Sequence, residues 1–250
     1  QFPTRNPESP WDLAWLEAAR TRQIPLPKHG LLEIGIDPAG LGKDGTAIHA
    51  RIGPSSVAHT IWYSVEETET IGRILRLVPL LRSQYVPSQI HIRVDAGGMG
   101  SPIAAILAEH LSGSDDVTVE KVISGEKALV PERYPNRRSE LWFAVADRGR
   151  DGDLDLSRLD PNDYQRLTRQ LLDVKAKIDS RGRDIMESKA EMKKRLGRSP
   201  DDADAFNLAY AGGFEGSGTN WAQATHQTSR WGGREIAAES PGWGAGRIER

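Results

Sequence analysis

Four aspartates carry the chemistry that this chain could do. Asp37 ends the apolar run of "LLEIGID", Asp95 ends "QIHIRVD", and Asp201 and Asp204 stand near the start of "SPDDADAFNLAYAGG". The last stretch reads as a helix, opened by Ser-Pro and stopped by Gly-Gly. Asp201 and Asp204, at i and i+3, then share a face with about 5–6 Å between their Cβ atoms, while Asp202 points elsewhere. With the two strands side by side and the helix packed on them, the carboxylates would cluster, and like charges so close stay ionised only among cations. Divalent metals meet that need. Two of them about 3.5–4 Å apart would activate water and stabilise the leaving oxygen of a phosphodiester. Taken singly, each aspartate has an ordinary explanation as a turn former or as a complement to a helix dipole. Their order along the chain favours the cluster: a strand end, a second strand end, then a triply acidic first helical turn.

Other motifs narrow the choice. "GLGKDG" is not a phosphate loop, because Lys43 is followed by Asp44 rather than Ser or Thr, and the first glycine position holds Asp37. Asp44, beside Gly45, reads as a turn residue. Lys189, Lys193, Lys194, Arg195 and Arg198 make a basic helix just before the acidic one; such a run is often a solvated face, but its position also suits phosphate binding. Six histidines show no ligand spacing, and the chain has no cysteine, so a metal would be held by oxygen or imidazole, which favours Mg²⁺ or Mn²⁺.

The elements that must position these residues are legible as alternating patterns. Strands are expected at 31–37, 46–52 and 57–65 as an antiparallel meander, followed by a helix over 68–85, a strand ending at Asp95, a helix from 101 and a strand at 117–123. Then come a helix beginning near "NRRSELWF", a short strand at "DLDL", a helix at 161–173, a polar connector, a strand near 184–188, and the basic and acidic helices. Residues 1–30 read as a linker with one short amphipathic helix, and 214–250 as a flexible tail whose Trp221, Trp231 and Trp243 suit docking. The 250 residues are 38% hydrophobic and 27% charged with a formal charge of −2, the composition of a water-soluble globular domain without a global pull on nucleic acid. No apolar run reaches the roughly 18 residues of a membrane span, and no signal peptide is seen, so a cytoplasmic setting is expected. The start at Gln1 reads as that of a fragment.

"GIDPAGLGKDGTAI", "RVDAGGMGSPI", "NRRSELWF" and "ESKAEMKKRLGRSPDDADAFNLAY" together resemble the C-terminal nuclease domain of the large terminase subunit of tailed phages, a ribonuclease H-like family. The resemblance covers about 31–213, and "QFPT" is similar to the segment joining the packaging ATPase to the nuclease. It implies an α/β, ribonuclease H-like mixed sheet, with strands 1–3 as a meander and further strands parallel to strand 1, flanked by helices. It implies Asp37, Asp95, Asp201 and Asp204 as catalytic metal ligands for two Mg²⁺ or Mn²⁺ ions, with Asp202 at a variable position. The implied activity is cutting of double-stranded viral DNA concatemers during packaging. The implied partners are the portal protein, the small terminase subunit and an ATPase domain of the same polypeptide, in the host cytoplasm. No Walker motif lies in these residues. Other readings on the same residues are a Holliday-junction resolvase or transposase-like enzyme, and a non-catalytic module docking DNA or the portal.

Overall fold

The structure is a computed structural model and describes residues 8–212. The elements run α1 (Leu13–Thr21), β1 (Leu32–Asp37), β2 (Gly45–Ile52), β3 (Ser55–Tyr63), α2 (Glu67–Tyr85), β4 (Ile90–Asp95), α3 (Gly100–Leu111), β5 (Val117–Val122), α4 (Arg137–Asp151), α5 (Pro161–Asp173), β6 (Ala176–Ile178), β7 (Asp184–Met186), α6 (Lys189–Leu196) and α7 (Asp201–Ala209). The main sheet has the order β3-β2-β1-β4-β5. β1 to β3 form the expected antiparallel meander, and β4 and β5 run parallel to β1.

β1 is central and buried along its whole length, as a strand covered on both faces must be. Its Leu32, Ile34 and Ile36 join Ile90, Ile92 and Val94 of β4 in a core with α2 and α3. The alternate residues face α7, which lies against β1 and β2. Gly35 makes that approach possible: a Cβ there would stand 2.1 Å from the Ala205 carbonyl oxygen and 2.4 Å from the Ala209 nitrogen. A second core joins α1, α4, α5 and α7 through Trp11, Leu16, Trp142, Leu167, Leu171 and Phe206. Trp11 and α1, in the segment expected as a linker, therefore pack onto this body.

Two sequence expectations are corrected. The connector after α5 contains β6, paired antiparallel with β7 in a two-stranded sheet. Only three residues on each side pair, too few to show a strand period in a polar sequence. "DLDL" is no strand but a single bridge between Asp155 and Ser55, with the buried Asp155 carboxylate accepting from Ser55, Ser157 and the Ile24 amide. "QFPT", Trp221, Trp231, Trp243 and the whole 214–250 segment lie outside the described residues. No described helix is long and apolar enough to cross a membrane.

Candidate metal centre

In the parallel pair β1–β4 the rung Ile36–Val94 is followed by Asp37 and Asp95, so both carboxylates leave the carboxyl ends of adjacent strands. That edge is where open α/β sheets bind ligands. The chain turns sharply after each. Gly100 lets the loop after β4 fold back, since a Cβ there would meet the Asp95 carbonyl oxygen at 1.7 Å, and the Gly97 amide donates to Asp95 Oδ1 at 3.0 Å. Ser124 Oγ donates to Asp95 Oδ2 at 3.2 Å. The close seat of α7 on Gly35 brings the third carboxylate, Asp204, to the same place.

Asp37, Asp95 and Asp204 converge on one cation, the Lys189 ammonium at the start of α6. Nζ lies 3.0 Å from Asp37 Oδ1, 3.0 Å from Asp95 Oδ2 and 3.3 Å from Asp204 Oδ2. Burial works against the ammonium, but the surrounding carboxylates outweigh it and hold the Lys189 pKa well above its ordinary value. Burial pushes the Asp37 carboxyl well above the usual carboxylate range against the pull of Lys189, and Asp204, Asp95 and Asp201 push it further. Asp201 sits beside this group. Its Oδ2 accepts from the Gly45 amide at 2.8 Å, and burial raises its pKa despite that bond.

Among the described residues no three Asp, Glu or His side chains already stand as a metal-holding group. The carboxylates are spread around an ammonium instead. The donor set nevertheless fits a hard divalent cation: three buried carboxylates share a positive focus, and among the described residues Asp204 Oδ2 has no hydrogen-bond donor, only its charge contact with Lys189.

The structure separates Asp202 from this group. It is turned away and accepts from His59, Arg166 and Gln170. Of the five cations suggested as phosphate contacts, Lys189 is in the carboxylate cluster, Lys193 donates to Asp44 at 2.6 Å, Arg195 is bound to Glu187, and Arg198 donates to Asp173 at 2.8 Å. Lys194 is exposed and, among the described residues, makes no ion pair. Sequence reasoning passed over three residues of the site. Ser124 holds Asp95, Trp142 Nε1 donates to Asp204 Oδ1 at 2.9 Å, and Arg138 Nη2 lies 3.7 Å from that same oxygen. The signal was present in "NRRSELWF", where Arg138 and Trp142 are four apart and so share one helix face.

No family model matches the chain, and no curated protein matches it in sequence. Solved structures do. A mutant nuclease domain of the large terminase subunit gp2 of bacterial virus Sf6, with manganese and beta-thujaplicinol, superposes with a TM-score of 0.68 at 19% identity, covering 80% of this chain and 97% of that one. The same Sf6 domain without the additions gives a TM-score of 0.66 at 17% identity, again over 80% and 97% of the chains. The large terminase nuclease of thermophilic phage G20c with bound magnesium gives 0.54 at 12% identity, over 82% and 97%. With the carboxylates at the ends of adjacent parallel strands, these likenesses show that the chain has the fold of the nuclease domain of phage large terminase subunits, the architecture its sequence resembles.

Proposed function

We propose that this chain is a metal-dependent endonuclease that cuts double-stranded viral DNA during genome packaging, as the nuclease domain of a terminase large subunit. The observation that carries this reading is the convergence of Asp37, Asp95 and Asp204 on a single cation at the strand ends. The neighbours, two of them carrying manganese or magnesium, support it.

In this reading Asp37, Asp95 and Asp204 hold the metal, and Asp201 completes the site from the same helix face. Bound there, two Mg²⁺ or Mn²⁺ ions supply a lowered pKa for the attacking water and neutralise the departing 3′ oxygen. The chain supplies the rest. Ser124 and the Gly97 amide aim Asp95, Trp142 aims Asp204, and the Lys189 ammonium balances the charge of the cluster. Lys189, Lys193, Lys194, Arg195 and Arg198 serve as DNA contacts. Lys194 does so directly, and the others do so by trading a carboxylate of the chain for a phosphate. Contacts of this kind read the backbone and not base edges, so cutting is tolerant of sequence. An ATPase domain of the same polypeptide, the portal and the small terminase subunit complete the motor in the host cytoplasm, with 1–30 as the link to the ATPase and 214–250 as a docking tail.

The test is conversion of supercoiled plasmid to nicked and linear forms by the 250-residue chain. Cutting is expected with Mn²⁺ or Mg²⁺ and none with a chelator, and the same ions should raise the melting temperature as ligands of the native state do. Equal cutting with and without chelator, or no response to metal in either assay, overturns the reading.

A further inference from the structure

Lys189 lines two recesses whose charges differ. One, of about 210 Å³, is lined by Asp37, Asp44 and Asp201 together with the loop after β1. The other, of about 360 Å³, lies between the β6–β7 hairpin, the start of α4 and the start of α6, and is lined by Arg138, Lys177, Asn136 and Ser188 among others. Its one carboxylate, Glu191, accepts from the Ser188 amide and hydroxyl in a capping box through Oε2, and its Oε1 lies 3.7 Å from the exposed Lys177 ammonium.

Arg138 is the unusual group here. It is 8% exposed, and its Nη1 donates to the Glu187 carbonyl, but among the described residues Nε and Nη2 have no hydrogen-bond partner, Nη2 meeting Asp204 Oδ1 only as a charge contact at 3.7 Å. The guanidinium lies 5.3 Å over the Trp142 ring, which fixes its plane. A buried guanidinium is always charged, and unfilled donors on it are costly unless an acceptor arrives. Two adjacent N–H groups on one rigid fork match two oxygens of a phosphate. The recess also lies beside the N-terminus of α4, whose first amides are filled by the Glu126 and Ser124 carbonyls and by Asn136, so that the helix dipole alone favours an anion there.

We propose that this basic recess seats a backbone phosphate of the DNA strand next to the one being cut, gripped by Arg138 through Nε and Nη2 with Lys177 at the rim. The inference rests on the nuclease reading and adds a direction to it: metal at the acidic recess, incoming backbone at the basic one.

The experiment measures binding of a 30-base-pair duplex in chelator, where nothing is cut, across a range of salt for wild type, Arg138→Gln, Arg138→Lys and Lys177→Gln, with melting temperatures alongside. Loss of one phosphate contact should weaken binding and flatten the plot of log affinity against log salt by about one unit. Arg138→Gln is expected to show both effects, Arg138→Lys to recover the slope but not the affinity, and Lys177→Gln to show a smaller loss with a native melting temperature. Unchanged affinity and slope in Arg138→Gln, or a lower melting temperature as its sole effect, overturns the inference. Should Arg138→Gln fail to fold, an unchanged slope in Lys177→Gln overturns it. Stabilisation of wild type by inorganic phosphate that leaves duplex binding untouched also overturns it, by assigning the recess to a free anion. A wild type that neither binds nor cuts duplex fails at the nuclease reading instead.

Discussion

The two faces of α7 hold buried aspartates two residues apart in opposite surroundings. On the side facing α5, Asp202 Oδ1 accepts from His59 Nε2 at 2.7 Å and Arg166 at 3.2 Å, and Oδ2 accepts from Gln170 at 2.7 Å. Burial alone would raise its pKa, but these partners outweigh it and hold the carboxyl below the ordinary range. On the side facing the strand ends, Asp204 has, among the described residues, one side-chain donor, Trp142, and an oxygen with none. The lesson is one of satisfaction. An acid whose acceptors are all filled by its own chain stabilises the fold, while acids crowded together with open lone pairs cost stability unless something binds them.

The comparison predicts opposite phenotypes, and these are the largest effects. Asp37→Asn should lower plasmid cutting by at least about three orders of magnitude, about 4 kcal/mol of barrier. Because Asp37 is held toward its neutral form, the uncharged amide should leave the melting temperature in chelator unchanged or higher. Asp202→Ala should do the reverse: it leaves the buried His59 ring and the Gln170 amide without their acceptor, while Arg166 keeps Asp163, and each buried polar group left unsatisfied costs about 1–3 kcal/mol. Its remaining folded fraction should cut at the wild-type rate per molecule. A low melting temperature for Asp37→Asn with a normal one for Asp202→Ala would break the distinction.

A mid-sized effect should move both faces together. Gly35→Ala places a methyl 2.1 Å from the Ala205 carbonyl oxygen, which is backbone and cannot rotate away, so α7 must lift from β1. Overpacking of this kind costs about 1–3 kcal/mol. Since Asp204 rides on α7 while Asp37 and Asp95 stay on the sheet, cutting should fall more than stability does. Melting and plasmid cutting on the same preparation check this, and full activity in a destabilised Gly35→Ala protein would mean that the helix position does not set the site.

How much of this was legible in the sequence follows the range of the interaction. Asp37 and Asp95 could be read because a strand and its end are local patterns, and α7 because Ser-Pro and Gly-Gly punctuate it. The pairing of β1 with β4 is not a local pattern: it was supposed in order to bring the two strand ends together, and only the family resemblance implied it. The inward turn of Lys189 was not legible: it stands among four other cations in a helix that reads as a polar face, and only the tertiary approach of three carboxylates from β1, β4 and α7 selects it. Nor was the role of the histidines. His59 meets Asp202 across 143 positions, and such a pair leaves no spacing to find. β6 was missed because its three residues pair with an equally short strand.

The smallest predicted effect tests the saturated face through pH. His49 is fully buried behind Asp202, with Nδ1 3.0 Å from His59 Nδ1 and Nε2 2.8 Å from Ser56 Oγ. Burial first, then the neighbouring His59 and Arg51, hold its pKa well below the ordinary 6.5. In the unfolded chain it takes up a proton near pH 6.5, while in the folded chain it does not, so the unfolded state binds more protons as pH falls. The stability tied to a neutral His49 is therefore present above about pH 6.5 and declines below it, by at most about 1.4 kcal/mol per pH unit. Asp202 adds a second, more acidic limb: its lowered pKa contributes stability that is lost as pH falls below the ordinary carboxylate range. Asp37 acts in the opposite sense in chelator, because its raised pKa favours the folded state as pH falls. The comparison is therefore made within the Asp37→Asn background, with and without His49→Gln. Thermal melts between pH 7.5 and 5.0 should show a steeper decline with His49 present than with Gln in its place. Parallel curves would mean that His49 does not carry the acid sensitivity of this face, and that filled acceptors alone do not account for its stability.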